Sequence, residues 1–121
     1  MRKVTMVLAS GPGFPEGSPE RRYDLEVSLE AGGVLDPARW QSDPEPWRAT
    51  RLWPGEAPRR GDVQWDDDTG WWVRFFPGED SAPDAPVHGV LRPAGSLRPG
   101  DYVTIVEPDG QEYGYRIVSV E

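Results

Sequence analysis

The segment 62–76 reads DVQWDDDTGWWVRFF, and it decides the fold of this chain. Two apolar runs flank the turn-forming residues DDDTG, a pattern typical of a β-hairpin in which a glycine near the end of the loop takes a positive φ. Period-two alternation points Val63 and Trp65 one way on the first strand. On the returning strand it puts Trp71, Val73 and Phe75 on one face. We therefore predict that this hairpin is the middle of an antiparallel sheet.

Six other segments carry strand signals: 3–9, 22–30, 48–53, 87–91, 102–106 and 113–120. The alternation is clearest in 22–30, where apolar residues alternate with polar, mostly acidic residues, as expected for a strand with one face on the core. In 48–53 the two faces are not clearly separated and 87–91 is short, so not every segment is counted as a strand. A Pro-Asp-Gly turn at 108–110 joins the last two segments into a second hairpin.

One helical signal interrupts this pattern, near 36–41. Asp36 is a good N-cap and Pro37 suits the first helical position, while Pro44 and Pro46 limit the helix to one or two turns. Loops rich in glycine and proline are expected at 10–22 and at 77–86, the second a mobile surface loop. The sum is a mostly β chain of six to seven short strands in one domain, 1–121, folded as a small antiparallel barrel or sandwich with at most one short helix.

Composition restricts the classes of function. The chain has 121 residues, no cysteine and a formal net charge of −8, so disulfides, thiolate metal sites and thiol nucleophiles are excluded. The negative charge opposes binding to nucleic acid and to anionic membranes. No apolar run is long enough to span a bilayer, and the apolar patch at 4–9 is too short for a signal peptide. We expect a cytoplasmic protein.

The residues that could carry chemistry are few. His88 is the only histidine, and paired with Asp84 or another acid it could act as a general base in a small hydrolase or isomerase. A structural histidine is the simpler interpretation. The acids of 66–68 could bind Ca²⁺ or Mg²⁺, but their spacing differs from an EF-hand loop, and Asp and Gly are good turn formers. We expect no cofactor, no metal site and no catalytic residue.

An aromatic surface is the more informative candidate. If one face of the returning hairpin strand lines the core, Trp72, Arg74 and Phe76 point the other way. Trp and Arg are enriched at binding hot spots. Neighbouring strands could add further rings, drawn from Trp47, Trp53, Tyr113 and Tyr115.

The leading hypothesis is a non-enzymatic binding module that uses Trp72, Arg74, Phe76 and Trp53 to contact a protein partner or a second copy of the chain. Two alternatives stay open besides the small enzyme. Carbohydrate binding predicts a flat, exposed row of tryptophans and tyrosines. A purely structural interpretation holds that the chain's own loops cover this face.

Overall fold

The computed structural model describes residues 1–77 and 87–121. These residues form eight antiparallel strands and one short helix. In chain order the elements are β1 (Arg2–Ser10), β2 (Ser18–Val27), α1 (Pro37–Ser42), β3 (Arg48–Leu52), β4 (Arg59–Asp66), β5 (Gly70–Phe75), β6 (Val87–Pro93), β7 (Tyr102–Val106) and β8 (Glu112–Val120). Each strand pairs with the next, and β1 also pairs with β8, so the sheet closes into a barrel.

The predicted central hairpin is confirmed as β4–β5. Val63 lies opposite Val73, Trp65 lies opposite Trp71, and all four side chains point into the barrel. Gly70 closes the turn at a φ of +85°, a conformation that costs glycine little because it has no Cβ. The alternation read from the sequence therefore gives the correct inner face.

The single helix is also confirmed, and its cap explains where it begins. The Asp36 side chain accepts a hydrogen bond from the Ala38 backbone N–H at 3.0 Å, and Pro37 occupies the first helical position. The helix ends at Ser42, just before Pro44. Within the described ranges, no helix has the length and apolar character that a membrane span requires.

The structure differs from the sequence prediction in the number of strands and in several strand bounds. The structure has eight strands instead of six to seven, because both short segments, β3 and β6, are paired on each side. Strand β2 begins at Ser18, inside the predicted loop 10–22. Its register with β1 jumps between Arg22 and Ser18, so Pro19 lies in the irregular part and no ladder hydrogen bond needs its missing N–H. The predicted loop 77–86 lies almost wholly outside the described residues.

The barrel interior is filled with apolar side chains, as expected for eight strands. Its two ends differ. The helix end carries α1 and the β4–β5 and β6–β7 turns, and three tryptophan rings fill it: Trp47 stacks on Trp71 with centroids 5.7 Å apart, and Trp65 contacts Trp71 at 4.9 Å. The other end, which we call the Glu107 end, carries the β1–β2, β3–β4 and β7–β8 loops.

Candidate functional site

The outward-facing side chains of β3 to β6 form a surface that we call the arginine face. Its charged members are Arg48, Arg60, Arg74, Arg92, Asp62 and Asp66. Four arginines against two aspartates give a formal charge of +2, on a chain whose net charge is −8. Four of the thirteen arginine and lysine side chains thus lie on strands that also carry Trp72 and His88, and one of the four, Arg92, is paired with Glu112 of β8.

Asp62 organises the centre of this face. The Arg48 Nη1 donates to Asp62 Oδ1 at 2.6 Å, and the Arg74 Nη2 donates to Asp62 Oδ2 at 3.1 Å. The two guanidinium groups cover the carboxylate, so Asp62 is buried although it points outward, while both arginines stay about half exposed. The carboxylate therefore fixes the direction of two cationic side chains that remain open to solvent.

The sequence-predicted aromatic residues flank this pair of arginines. Phe76 is 42% exposed, and its ring lies 5.4 Å from the Arg48 guanidinium. Trp72 is half-buried, with its ring 5.0 Å from that of His88 on β6. A groove of about 570 Å³ runs beside Phe76 across β2, β3 and β4. Trp72, Arg74 and Phe76 therefore share one outer surface, as predicted.

Trp53 does not belong to that surface. It follows β3 at the Glu107 end and packs against the core, with its ring edge-on to Tyr113 at 5.4 Å. Trp47, Tyr113 and Tyr115, the other predicted contributors, are buried inside the barrel. None of the six tryptophans is fully exposed, so no flat row of exposed rings is present in the described residues.

His88 lies on the outer side of the barrel, opposite Arg74. Its proposed partner Asp84 lies outside the described residues. Within the part of the chain that the structure describes, no three histidine or acidic side chains are grouped to hold a metal ion. The exposed position of His88 does not support a general base in a cleft, because catalysis of that kind needs a concave pocket.

The acids of the β4–β5 turn serve the turn itself. Asp66 Oδ1 accepts hydrogen bonds from the backbone N–H groups of Asp68 and Thr69, at 2.8 and 3.3 Å. Asp67 Oδ1 accepts from the Trp65 indole N–H at 2.9 Å. These contacts are those of carboxylates that stabilise a turn, which was the simpler interpretation of this segment.

A second polar cluster, which the sequence analysis did not identify, lies at the Glu107 end. Glu107 is 4% exposed, and its carboxylate accepts three hydrogen bonds. The Tyr23 hydroxyl donates at 2.9 Å, the Tyr115 hydroxyl at 3.1 Å and the Arg51 Nε at 3.1 Å. Glu107, Arg51, Tyr23 and Tyr115 thus form a buried network with a paired charge, which we call the Glu107 network.

Trp53 and Glu56 extend the network toward solvent. The Trp53 indole N–H donates to the Tyr115 hydroxyl at 3.2 Å, and the Arg51 guanidinium lies over the Trp53 ring at 4.1 Å. Arg51 Nη1 also donates to Glu56 Oε1 at 3.2 Å. A cavity of about 300 Å³ opens here, with Arg51, Glu107, Trp53 and Tyr113 among its walls.

The pKa values of Tyr23, Tyr115 and Arg51 are all raised in the network. Burial, followed by the charge of Glu107, raises the pKa of Tyr23 and of Tyr115 far above the usual value for a phenol. Burial disfavours the charged form of Arg51, but the carboxylates of Glu107 and Glu56 outweigh this effect, and the pKa of Arg51 is raised. Both tyrosines therefore stay protonated donors and Arg51 stays a cation.

These shifts predict that stability falls as the pH rises above about 10. Unfolded tyrosines lose their protons near that pH, whereas Tyr23 and Tyr115 keep theirs in the folded chain. The unfolded state then binds fewer protons than the folded state, so the free energy of unfolding decreases, by up to about 1.4 kcal/mol per pH unit for each tyrosine. Urea denaturation followed between about pH 8 and about pH 11 measures this slope.

Tyr115→Phe should flatten the slope, because phenylalanine has no proton to lose. Tyr102→Phe is the matched control: Tyr102 is 53% exposed on β7, and its replacement should leave the slope unchanged. Equal slopes for the wild type and Tyr115→Phe would contradict the assignment.

A signal for the Glu107 network was present in the sequence. Alternation along β7 puts Val103 and Ile105 on the inner face, and the next inward position is Glu107. On β3 the same rule puts Arg51 on the inner face. Two opposite charges at inward positions of separate strands indicate a buried ion pair, provided that the strands meet at the same end of the barrel.

Comparison of this chain with protein family models, with curated proteins and with solved structures gives no match.

Proposed function

We propose that this chain is a non-enzymatic binding module that recognises a protein partner through the arginine face. The observation that carries the proposal is the convergence of Arg48 and Arg74 on Asp62, between Phe76 and Trp72. Aromatic and arginine side chains at the centre of a surface are the groups that most often dominate binding energy.

The arginine face is pre-organised for binding. Each guanidinium has five N–H donors, and the hydrogen bond to Asp62 occupies one donor of Arg48 and one of Arg74. The remaining donors are held in place before a partner arrives. This lowers the side-chain entropy that binding would otherwise cost, about 0.5–1.5 kcal/mol for each immobilised side chain.

The charge of the face indicates the chemistry of the partner. A segment that carries carboxylates would pair with Arg48, Arg60 and Arg74, and an apolar side chain of the same segment would contact Phe76. Phe76 lies at the edge of a groove whose charged lining is Lys3, Arg48, Arg60, Asp24 and Glu26. The charge of the remaining surface, which is strongly negative, would repel an acidic partner everywhere else and so direct it to this face.

Charge also disfavours a second copy of the chain as the partner. A two-fold symmetric dimer through this face would bring two positive surfaces together, and each copy carries a net charge of −8. Nucleic acid meets the same long-range repulsion. An acidic protein segment is therefore the preferred occupant. A second copy of the chain and nucleic acid are tested as the alternatives.

The experiment uses ¹⁵N-labelled protein and three synthetic peptides with equal aromatic content and acidic, neutral or basic charge. Of the three peptides, we expect only the acidic one to shift amide signals of β3 to β6. Its binding should weaken at higher salt. Trp72→Ala and Arg60→Glu should each weaken binding about tenfold or more, because each removes a central contact or reverses its charge. The folded spectrum should be retained.

Arg116→Glu is the matched control. Arg116 is an exposed residue of β8 that faces outward on another side of the barrel, so the same charge reversal should leave peptide binding unchanged. Equal binding of all three peptides, or equal loss in Arg60→Glu and Arg116→Glu, would refute the proposal. So would tighter binding of single-stranded DNA at this face, or a stable dimer in sedimentation that Trp72→Ala dissolves.

A further inference from the structure

The cavity at the Glu107 end is separate from the arginine face. It measures about 300 Å³, and its floor is the ion pair of Arg51 and Glu107 inside the barrel. Half-buried Trp53 and buried Tyr113 form one side of the cavity. The exposed residues Arg59 and Asp109 and the half-exposed Glu56 form the rim. The mouth of a barrel is a common place for a small-molecule site, and this volume is at the lower end of the usual range.

The floor of the cavity is fixed, whereas its rim has unused polar groups. Both oxygens of Glu107 already accept hydrogen bonds from the network. Among the described residues, Glu56 Oε2 and the Arg59 guanidinium on the rim, and Arg51 Nη2 on the floor, make no hydrogen bond within the protein. The opening therefore offers both donors and acceptors, and Glu56 is tied to the floor by its hydrogen bond with Arg51.

The charges of the lining decide which ligand fits. Two cations, Arg51 and Arg59, stand against three carboxylates, Glu56, Glu107 and Asp109. A cationic ligand would meet two guanidinium groups, and an anionic ligand would meet three carboxylates. A neutral ligand with many hydroxyl groups meets neither repulsion, since each hydroxyl both donates one hydrogen bond and accepts others.

We propose that this cavity binds a neutral saccharide, as a single pyranose ring or as the terminal ring of a glycan. The hydroxyl groups of the sugar pair with Glu56, Arg59 and Arg51, and its C–H surface contacts the part of Trp53 that the Arg51 guanidinium leaves open. The planar carboxylate and guanidinium groups of the rim match pairs of adjacent hydroxyls.

The test titrates the full chain with methyl glucoside, methyl galactoside and methyl mannoside, and with glucuronate and glucosamine as the charged counterparts. The readout is the indole N–H signal of Trp53 in ¹H–¹⁵N spectra, assigned with Trp53→Phe. We expect at least one neutral glycoside to shift this signal, and to bind more tightly than the acid and the amine of the same series.

Glu56→Ala should weaken the binding of that glycoside about tenfold, as expected for the loss of a hydrogen bond to a charged group. Arg59→Ala should have a similar effect, and because both residues lie on the rim, the fold should be retained. Glu45→Ala, an exposed glutamate at the helix end, is the matched control and should bind as the wild type does.

Three outcomes would overturn the proposal: no shift with any glycoside, shifts confined to signals away from the Glu107 end, or a preference for a charged sugar. Arg60→Glu, which tests the arginine face, should leave saccharide binding unchanged, so that failure of one site is distinguishable from failure of the other.

Discussion

Glu107→Ala is expected to lower the free energy of unfolding by about 3–5 kcal/mol. The substitution removes the buried carboxylate that pairs with the Arg51 guanidinium. The remaining carboxylate near Arg51 is that of Glu56, which is half exposed. It also removes the acceptor of the Tyr23 and Tyr115 hydroxyls, and a buried donor without an acceptor is costly. Urea denaturation followed by circular dichroism measures the loss, because the free energy of unfolding falls linearly with urea concentration and can be extrapolated to water.

The matched control removes the other carboxylate of the same arginine. Glu56 has a side chain that is 46% exposed, so water replaces it readily, and Glu56→Ala should cost no more than about 1 kcal/mol. The double variant Arg51→Met, Glu107→Leu should lose clearly less stability than the sum of Arg51→Met and Glu107→Leu, because it leaves no unpaired charge. Additive losses would contradict a coupled network.

Local patterns in the sequence were sufficient for the elements and for their inner faces. The alternation of 62–76 predicted a hairpin with one apolar face on each strand, and the structure brings Val63 and Val73 opposite each other inside the barrel. The Asp36-Pro37 pair predicted the start of the helix, and the N-cap hydrogen bond is present. Both features depend on neighbours within a few residues, which is why one sequence reveals them.

The closure of the barrel could not be predicted in the same way. Alternation shows that Met6 and Ile117 face a core, but it does not show that they pair with each other across more than a hundred residues. Either a sandwich or a barrel would bury both of them. The choice depends on the twist that accumulates along the whole sheet, which no short pattern records.

The candidate sites show the same difference between what local sequence patterns reveal and what depends on long-range pairing. Trp72, Arg74 and Phe76 share one surface because they alternate along one strand, and this was predictable. Trp53 was assigned to that surface by its type alone, and it lies instead at the Glu107 end, near Tyr115. The Glu107 network joins side chains from three strands and one turn, so it becomes visible only when the ends of the strands are placed together.

Trp47→Ala is expected to cost about 3–5 kcal/mol, because the side chain is 1% exposed and its loss leaves a large cavity at the helix end. Trp47 stacks on Trp71, and its indole N–H donates to Asp43 Oδ2 at 3.0 Å. That hydrogen bond is the main cause that lowers the pKa of Asp43. In the milder variant Trp47→Phe, NMR titration should therefore find the pKa of Asp43 moved back toward its ordinary value.

Trp72→Ala, the same change on the outer surface, should cost only about 1 kcal/mol. Equal losses for Trp47→Ala and Trp72→Ala would mean that the tryptophans at the helix end do not form the core that the stacking indicates.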